Sequence, residues 1–188
     1  VGGGKGKGGV NLIMGETALP WAPGGGLLDE AAGGDVAAVK ALLAANPSSV
    51  QLRDQRGQSA AHLACWYGHT EVLDALVATD VSALRARDHT QQTPVHLAAW
   101  NGHLETLRFI HAHDADALTA VNLFGSTPAH SAAMGSCPEA MIYLCEAIPA
   151  LWSARNHQGA LPQDIAQQNG YADETLAVLG GMGALKCA

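Results

Sequence analysis

Three histidines recur at one interval along the chain and are the first candidates for metal chemistry. His62, His96 and His130 stand 34 residues apart, and a neutral imidazole is the commonest protein ligand for metal ions. With one histidine in each repeating unit, neighbours are separated by the packing distance of adjacent helices, about 10 Å. Zinc ligands lie about 2 Å from a shared ion. We therefore expect each histidine to have a structural role in its own unit.

A second group of potential ligands consists of His111, His113, Asp114 and Asp116. The same residue types are typical of a solvated helix end, where histidine interacts favourably with the negative end of the helix dipole. We expect a helix end here and predict no bound metal and no cofactor.

Ser131 and Cys65 are candidate nucleophiles, since each has a histidine close to it in sequence. Nucleophilic catalysis needs a base and an orienting group around the nucleophile, and the sequence supplies no such set. We therefore predict that the protein is not an enzyme. The cysteines form no CxxC pair and have no histidines at zinc spacing, which indicates reduced thiols in an intracellular, reducing compartment. They are Cys65, Cys137, Cys145 and Cys187.

Composition and charge argue against several other classes of protein. The net charge of -7 and the sequence pI of about 5.6 argue against binding to nucleic acid through its phosphates, which needs a basic surface. No run of 18 apolar residues is present, so we predict no transmembrane helix. The chain begins at Val1 rather than at Met. Two locations therefore stay open: the cytoplasm, or an organelle such as the plastid after removal of a transit peptide.

The elements that position the histidines follow from an internal repeat. Four segments align at intervals of 34 residues, and the first three each contain one of the histidines. A glycine comes six residues after the histidine in the first two segments and is followed by a second histidine. The segments are 59–64 (SAAHLA), 93–98 (TPVHLA), 127–132 (TPAHSA) and 161–166 (LPQDIA).

This pattern, Thr-Pro-x-His-x-Ala followed by Gly-His, resembles the ankyrin repeat. The resemblance covers about residues 27–180 and implies an all-α solenoid of stacked helix–turn–helix units with short projecting β-turn fingers. In that family the signature histidine ties its own turn to the neighbouring one by hydrogen bonds. The usual period is about 33 residues, so we expect the extra residue in the loop before the finger. The predicted units are residues 27–56, 57–90, 91–124, 125–158 and 159–180.

The residue types of the repeat agree with that architecture. Thr93 can cap a helix whose first residue is Pro94, and the glycine can end that helix in a left-handed conformation. A second helix follows, as at residues 71–77, with its apolar residues on one face. A single helix pair cannot bury that face, so neighbouring units must stack.

Both ends of the chain depart from the pattern. Residues 27–43 lack the signature but keep an intact second helix, as expected of an N-terminal cap, and Asp164 in place of the histidine suits a C-terminal cap. Residues 1–26 form a glycine-rich arm, which is expected to be flexible unless another chain or the array itself holds it. Residues 181–188 are a short tail. The predicted attachment points of the arm are Leu12, Ile13, Met14 and Trp21.

Positions that the repeat leaves free are the candidate contact residues. Two consecutive positions near the end of each first helix form a row that, in ankyrin proteins, lines the concave groove. Large aromatic side chains on such a surface are typical of binding sites; alternatively, the tryptophans pack against the preceding finger or the arm. The groove candidates are Trp66, Tyr67, Trp100, Asn101 and Met134. The fingertip candidates are Arg56, His89, Leu123, Phe124 and His157.

Together these features predict a non-catalytic module that binds another protein through its groove and fingers. The alternative is a permanent accessory or structural subunit of a large complex, such as a photosynthetic or respiratory membrane assembly, attached through the arm. The 14% share of charged residues and the arm favour the alternative, whereas the aromatic row favours a module that binds one partner. Either way the partner is another protein, and its identity is open because the fold carries no fixed function.

Overall fold

The protein is described by a computed structural model over residues 26–170. Within that range all regular structure is helical, and the α-helices alternate between an inner layer (odd numbers) and an outer layer (even numbers). The α-helices are α1 Leu27–Gly33, α2 Val36–Ala45, α3 Ala60–Tyr67, α4 Thr70–Thr79, α5 Pro94–Trp100, α6 Leu104–His113, α7 Pro128–Met134, α8 Pro138–Ala147 and α9 Pro162–Gln168. Four 3-10 helices follow the outer helices, at Pro47–Gln51, Val81–Arg85, Ala115–Thr119 and Pro149–Ser153.

The inner helices α3, α5 and α7 begin with the same hydrogen-bonded cap, and α5 and α7 also have proline as their first residue. In α5, Thr93 has an extended backbone and its side chain accepts a hydrogen bond from the third residue of the helix, His96, whose ring accepts the Thr93 N–H at 3.2 Å. Pro94 takes the first helical position, where its missing N–H has no helical partner to lose. The predicted threonine caps and first-position prolines are thus confirmed.

The turn from an inner to an outer helix needs one residue in the left-handed conformation. Gly68 and Gly102 take it with φ of 75° and 73°, as the sequence predicts. In the unit of residues 125–158, the third to carry the histidine signature and here called the third unit, the residue that takes it is Ser136, with φ of 59°, and Gly135 remains right-handed. A side chain in that conformation is strained, and this difference separates the third unit from its neighbours.

The core lies between the two layers and repeats with the units. The inner helices contact each other in the order α1, α3, α5, α7 and α9, and the outer helices in the order α2, α4, α6 and α8. The inner helices approach closely because an alanine is fully buried at the same position of the four units that follow the first: Ala64, Ala98, Ala132 and Ala166. The outer helices contribute six of the large side chains that are completely buried: Leu73, Leu76, Leu107, Ile110, Met141 and Leu144. Each such side chain stabilises the fold by about 1.5–3 kcal/mol relative to exposure.

The loop before each finger, where the extra residue of the 34-residue unit is predicted, contains a five-residue 3-10 helix. Apolar residues of these turns, such as Leu84 and Leu118, are buried in the core. The stacked helical array and its all-α class are confirmed over the described range. The predicted arm attachment points Leu12, Ile13, Met14 and Trp21, and the tail at 181–188, lie outside the described residues.

Candidate protein-binding surface

The signature histidines hold neighbouring units together. The Nδ1 atom of His96 accepts hydrogen bonds from the Thr93 N–H and hydroxyl, and its Nε2–H donates to the Ser126 carbonyl of the next finger at 3.0 Å. His62 makes the same bonds to Ser59 and Gln92. His130 makes them to Thr127 and Ala160. Each histidine therefore fixes the start of its own helix against the next finger, as its structural role predicts.

Burial keeps these imidazoles neutral. Desolvation lowers the pKa of His96 to about 4 and lowers the pKa values of His62 and His130 as well. The hydrogen bonds require the same state, because Nδ1 must accept while Nε2 donates. With both ring nitrogens occupied by the protein, these histidines have no nitrogen left for a metal or for a reacting group.

A second set of bonds fixes the groove residues. The Nε2 atom of His103 donates to the Trp66 carbonyl at 2.9 Å, and His69 donates likewise to Ala32 at 3.1 Å. In the third unit Cys137 replaces this histidine, and its Sγ donates to the Trp100 carbonyl at 3.3 Å. The backbone carbonyls of Trp66 and Trp100 are therefore held by the following unit.

The groove candidates lie together at the carboxyl ends of α3, α5 and α7. An α-helix of seven or eight residues is about 10–12 Å long, so this row runs parallel to the fingers at the far end of the inner helices. Tyr67 is exposed over 39% of its surface, and Trp66, Trp100 and Asn101 are half-buried. Met134 is also half-buried and packs against the core. Four of the five candidates therefore have accessible side-chain surface, and in Trp66 and Trp100 the following unit also fixes the backbone, whereas part of Met134 belongs to the core.

The fingers are the segments 52–57, 86–91, 120–125 and 154–159, and backbone hydrogen bonds join them into one row. The N–H of His89 donates to the Arg56 carbonyl, that of Leu123 to the Thr90 carbonyl, and that of His157 to the Phe124 carbonyl, at 3.0, 3.0 and 2.9 Å. Within each finger an Asp or Asn side chain accepts two backbone N–H groups, as Asn122 does from Phe124 and Ser126.

All five fingertip candidates are exposed: Arg56, His89, Leu123, Phe124 and His157. The ring of His89 lies against Gly57, where an added Cβ would meet its Cδ2 atom at 2.6 Å, and His157 lies against Gly125 in the same way. The hydrogen-bonded backbone therefore holds the fingertips at a regular spacing, whereas their side chains differ from one finger to the next.

The other candidate metal ligands and nucleophiles do not form a site within the described residues. His111 bonds the Tyr143 hydroxyl through Nδ1 at 3.0 Å, while His113 bonds the Phe109 carbonyl and stacks on the Phe109 ring. Residues 26–170 contain no group of three His, Cys, Asp or Glu side chains arranged to hold a metal. Burial raises the pKa of Cys65, so its thiol is not activated. Within residues 26–170 the buried Ser131 hydroxyl has no hydrogen-bond partner and hence no base beside it.

Sequence reasoning missed an ion pair between units. Arg85 reaches from the end of one 3-10 helix to Asp114 in the next unit, with its Nη2 at 2.6 Å from the carboxylate, and it also contacts Asp116. Its guanidinium holds the pKa of Asp114 below its usual range. The 34-residue repeat could have indicated this contact, because Gln51 and Asp80 occupy the places of Arg85 and Asp114 one unit earlier. In the structure Gln51 donates a hydrogen bond to the Asp80 carboxylate at 2.7 Å.

Comparison with known proteins identifies the repeat. Residues 27–120 match the family model described as ankyrin repeats (3 copies), and residues 101–144 match the model described as ankyrin repeats (many copies). A search of curated proteins gives no match. Ankyrin repeats are generic protein–protein interaction modules and are typically non-catalytic. In the part of the chain that the structure describes, no helix has the length and apolar character needed to cross a bilayer.

Proposed function

Because the chain belongs to the ankyrin repeat family, we propose that it is a non-catalytic module that binds one partner protein through two parallel surfaces. The first is the groove row (Trp66, Tyr67, Trp100 and Asn101), with Met134 at its edge. The second is the row of fingertips. The partner lies along the concave side and contacts both.

The observation that carries this proposal is the rigid display of accessible aromatic side chains. Trp66 and Trp100 are half-buried, and the following unit holds the carbonyl of each through His103 or Cys137. Aromatic residues in a pre-organised surface contribute a large share of binding energy, since little conformational freedom is lost when the partner docks. Half-buried tryptophans also have surface left for a partner to cover.

The test starts by identifying the partner and then removes the groove tryptophans. Affinity capture from the source cells, with the full chain as bait, supplies a protein whose binding is measured by isothermal titration calorimetry. We expect Trp100→Ala to weaken binding by about tenfold or more, as removal of a central aromatic contact does. Its melting temperature should stay close to that of the unaltered chain.

Trp152→Ala is the matched control. Trp152 is also half-buried, but it lies in the last 3-10 helix and packs against the core, so its removal should lower the melting temperature and leave partner affinity unchanged. If Trp100→Ala instead behaves like Trp152→Ala, the tryptophan is a core residue and the groove is not the binding surface.

A second candidate function is permanent membership of a large complex. The low share of charged residues, 14%, and the exposed apolar side chains Leu52 and Val81 favour it, since apolar surface is commonly covered in stable assemblies. Size-exclusion chromatography of source-cell extract separates the two. A module that binds reversibly elutes partly as the free chain, whereas a permanent subunit elutes only in the large complex.

A further inference from the structure

The third finger differs from the other three in carrying only apolar side chains at its tip. Val121, Leu123 and Phe124, here called the apolar fingertip, are exposed over 47%, 57% and 43% of their surface. The position of Val121 holds an arginine in every other finger: Arg53, Arg87 and Arg155. The remaining two tip positions hold polar side chains in the other fingers: Gln55 and Arg56, His89 and Thr90, His157 and Gln158.

The apolar fingertip is held from both sides. Leu123 N–H bonds the Thr90 carbonyl of the preceding finger, and His157 N–H bonds the Phe124 carbonyl from the following one. Asn122 is buried and closes the turn beneath them. A partner that covers this tip therefore gains apolar contact without first ordering a loop.

The finger row as a whole carries a net positive charge. The four finger segments contain four arginines but only two carboxylates, Asp54 and Asp88, and both of these accept backbone N–H groups of their own turns. Arg87 donates to the Val121 carbonyl at 2.8 Å, which places its exposed guanidinium beside the fingertip. Arg155 donates to the Gly159 carbonyl on the other side. Neither takes part in an ion pair among residues 26–170.

Three of the four outer helices have the opposite charge. Helices α4, α6 and α8 expose five carboxylates, from Glu71, Asp74, Glu105, Glu139 and Glu146. They carry one arginine, Arg108, which pairs with Glu105, whereas α2 carries Lys40 and no carboxylate. Among residues 26–170, four of the seven lysines and arginines thus lie in the fingers. Because exposed charges act over about 8 Å in physiological salt, an approaching acidic segment meets attraction at the fingers and repulsion at α4, α6 and α8.

We propose that the finger row binds an acidic segment of the partner protein that contains an aliphatic or aromatic side chain. That side chain packs on Val121, Leu123 and Phe124, and carboxylates before and after it face Arg87 and Arg155. The apolar contact supplies most of the affinity, while the charges select the segment and speed its association. This inference rests on the proposed function and adds the chemistry of the partner at the fingers.

The chain itself supplies the variant that tests this proposal. The triple substitution Val121→Arg, Leu123→Gln and Phe124→Thr installs residue types that the equivalent positions of the first two fingers hold: Arg53 or Arg87, Gln55, and Thr90. It should therefore fold as the unaltered chain does, which circular dichroism and the melting temperature check. The groove control is the double substitution Trp66→Ala and Trp100→Ala.

Random linear peptides displayed on phage are selected on the full chain, and the enriched peptides are then synthesised. We expect sequences with Asp or Glu around an apolar residue. In fluorescence anisotropy the triple variant should bind them about tenfold or more weakly, the groove variant should bind them as the unaltered chain does, and added salt should weaken the binding.

Other outcomes overturn the inference in distinguishable ways. Enriched peptides without acidic residues, or peptides whose binding only the groove variant loses, would contradict the acidic finger site and leave the proposed function standing. Failure of every peptide together with failure to capture any protein would contradict both. Binding to phosphatidylserine vesicles that the triple variant abolishes, without peptide binding, would assign the fingertip to an anionic membrane surface.

Discussion

The inner helices α5 and α7 begin alike and end differently. Both start with Thr, Pro and a buried histidine that bonds the next finger at 3.0 Å. Their second halves diverge at five positions: α5 and its turn have Leu97, Trp100, Asn101, Gly102 and His103, whereas α7 and its turn have Ser131, Met134, Gly135, Ser136 and Cys137. The fold repeats all the same, with the two helices parallel in the inner layer. The start of an inner helix therefore sets the architecture, and the end is where one unit can differ from another.

The changes at the end of α7 are coupled to one another. Cysteine has a shorter side chain than histidine, and the Sγ of Cys137 still reaches the Trp100 carbonyl at 3.3 Å. The carbonyl lies so close to α7 that a Cβ on Gly135 would be 1.8 Å from its oxygen. Gly135 is thus required by the close approach that accompanies Cys137. Gly135 and Cys137 together therefore provide an alternative way to pack the end of α7 against the Trp100 carbonyl.

We expect the largest effect when acid protonates the buried histidines at the starts of the inner helices. The native pKa of His96 is about 4, whereas an unfolded histidine has a pKa of about 6.5, so the unfolded state binds more protons between these values. The resulting stability is fully present above pH 6.5 and is lost as the pH falls toward 4. Urea unfolding should show a loss of about 3 kcal/mol from His96 alone, with His62 and His130 adding to it.

Two variants assign this pH dependence. His96→Gln should make the free energy of unfolding fall less steeply between pH 6.5 and 4, and His62→Gln should likewise reduce the slope below pH 6.5. A stability that stays constant down to pH 4 and drops only below it would mean that carboxylates such as Asp114 control the acid response.

The next effect concerns the end of α7. Gly135→Ala should lower the free energy of unfolding by roughly 2–3 kcal/mol, because the new Cβ forces the Trp100 carbonyl away from the helix. Asn101→Ala is the matched change at the end of α5, where a side chain is already present. It should lower the free energy of unfolding by less than Gly135→Ala does. Replacing 135–137 by Asn-Gly-His, the sequence at 101–103, should be better tolerated than Gly135→Ala alone. Equal losses for Gly135→Ala and Asn101→Ala in urea unfolding would argue against the close approach.

The sequence alone predicts how α5 and α7 begin, but it predicts only part of how they end. Thr93, Pro94 and His96 specify their roles locally, since a cap, a first-position proline and the third helical residue interact within one turn. The coupling of Gly135 to the Trp100 carbonyl joins two units, and no local propensity signals it. The same applies to the groove: the row of Trp66, Trp100 and Met134 follows from the 34-residue period, but the share of each side chain that the core buries depends on packing between units.

A third test compares two buried serines. Ser59 and Ser131 are exposed over only 2% and 1% of their surface, but the Ser59 hydroxyl bonds His62 at 2.8 Å while that of Ser131 has no partner within residues 26–170. Ser59→Ala should lower the free energy of unfolding by about 1–2 kcal/mol, since it removes a helix cap and one of the two donors to the His62 Nδ1. Ser131→Ala should leave stability unchanged or raise it, because it removes an unsatisfied buried hydroxyl. A loss at Ser131 equal to that at Ser59, measured by urea unfolding, would indicate that the Ser131 hydroxyl is bonded in solution.

The smallest effect should relieve strain at the end of α7. Ser136 has φ of 59° at the position where Gly102 has 73°, and a residue with a Cβ costs about 1–2 kcal/mol in this conformation. Ser136→Gly should therefore raise the free energy of unfolding by about 1 kcal/mol, since the added freedom of glycine in the unfolded chain offsets part of the relief. The reverse change in the neighbouring unit, Gly102→Ser, should lower it by a similar amount. If thermal unfolding shows instead that Ser136→Gly destabilises the protein, the serine side chain contributes more at this turn than its backbone strain costs, and the third unit is adapted to it.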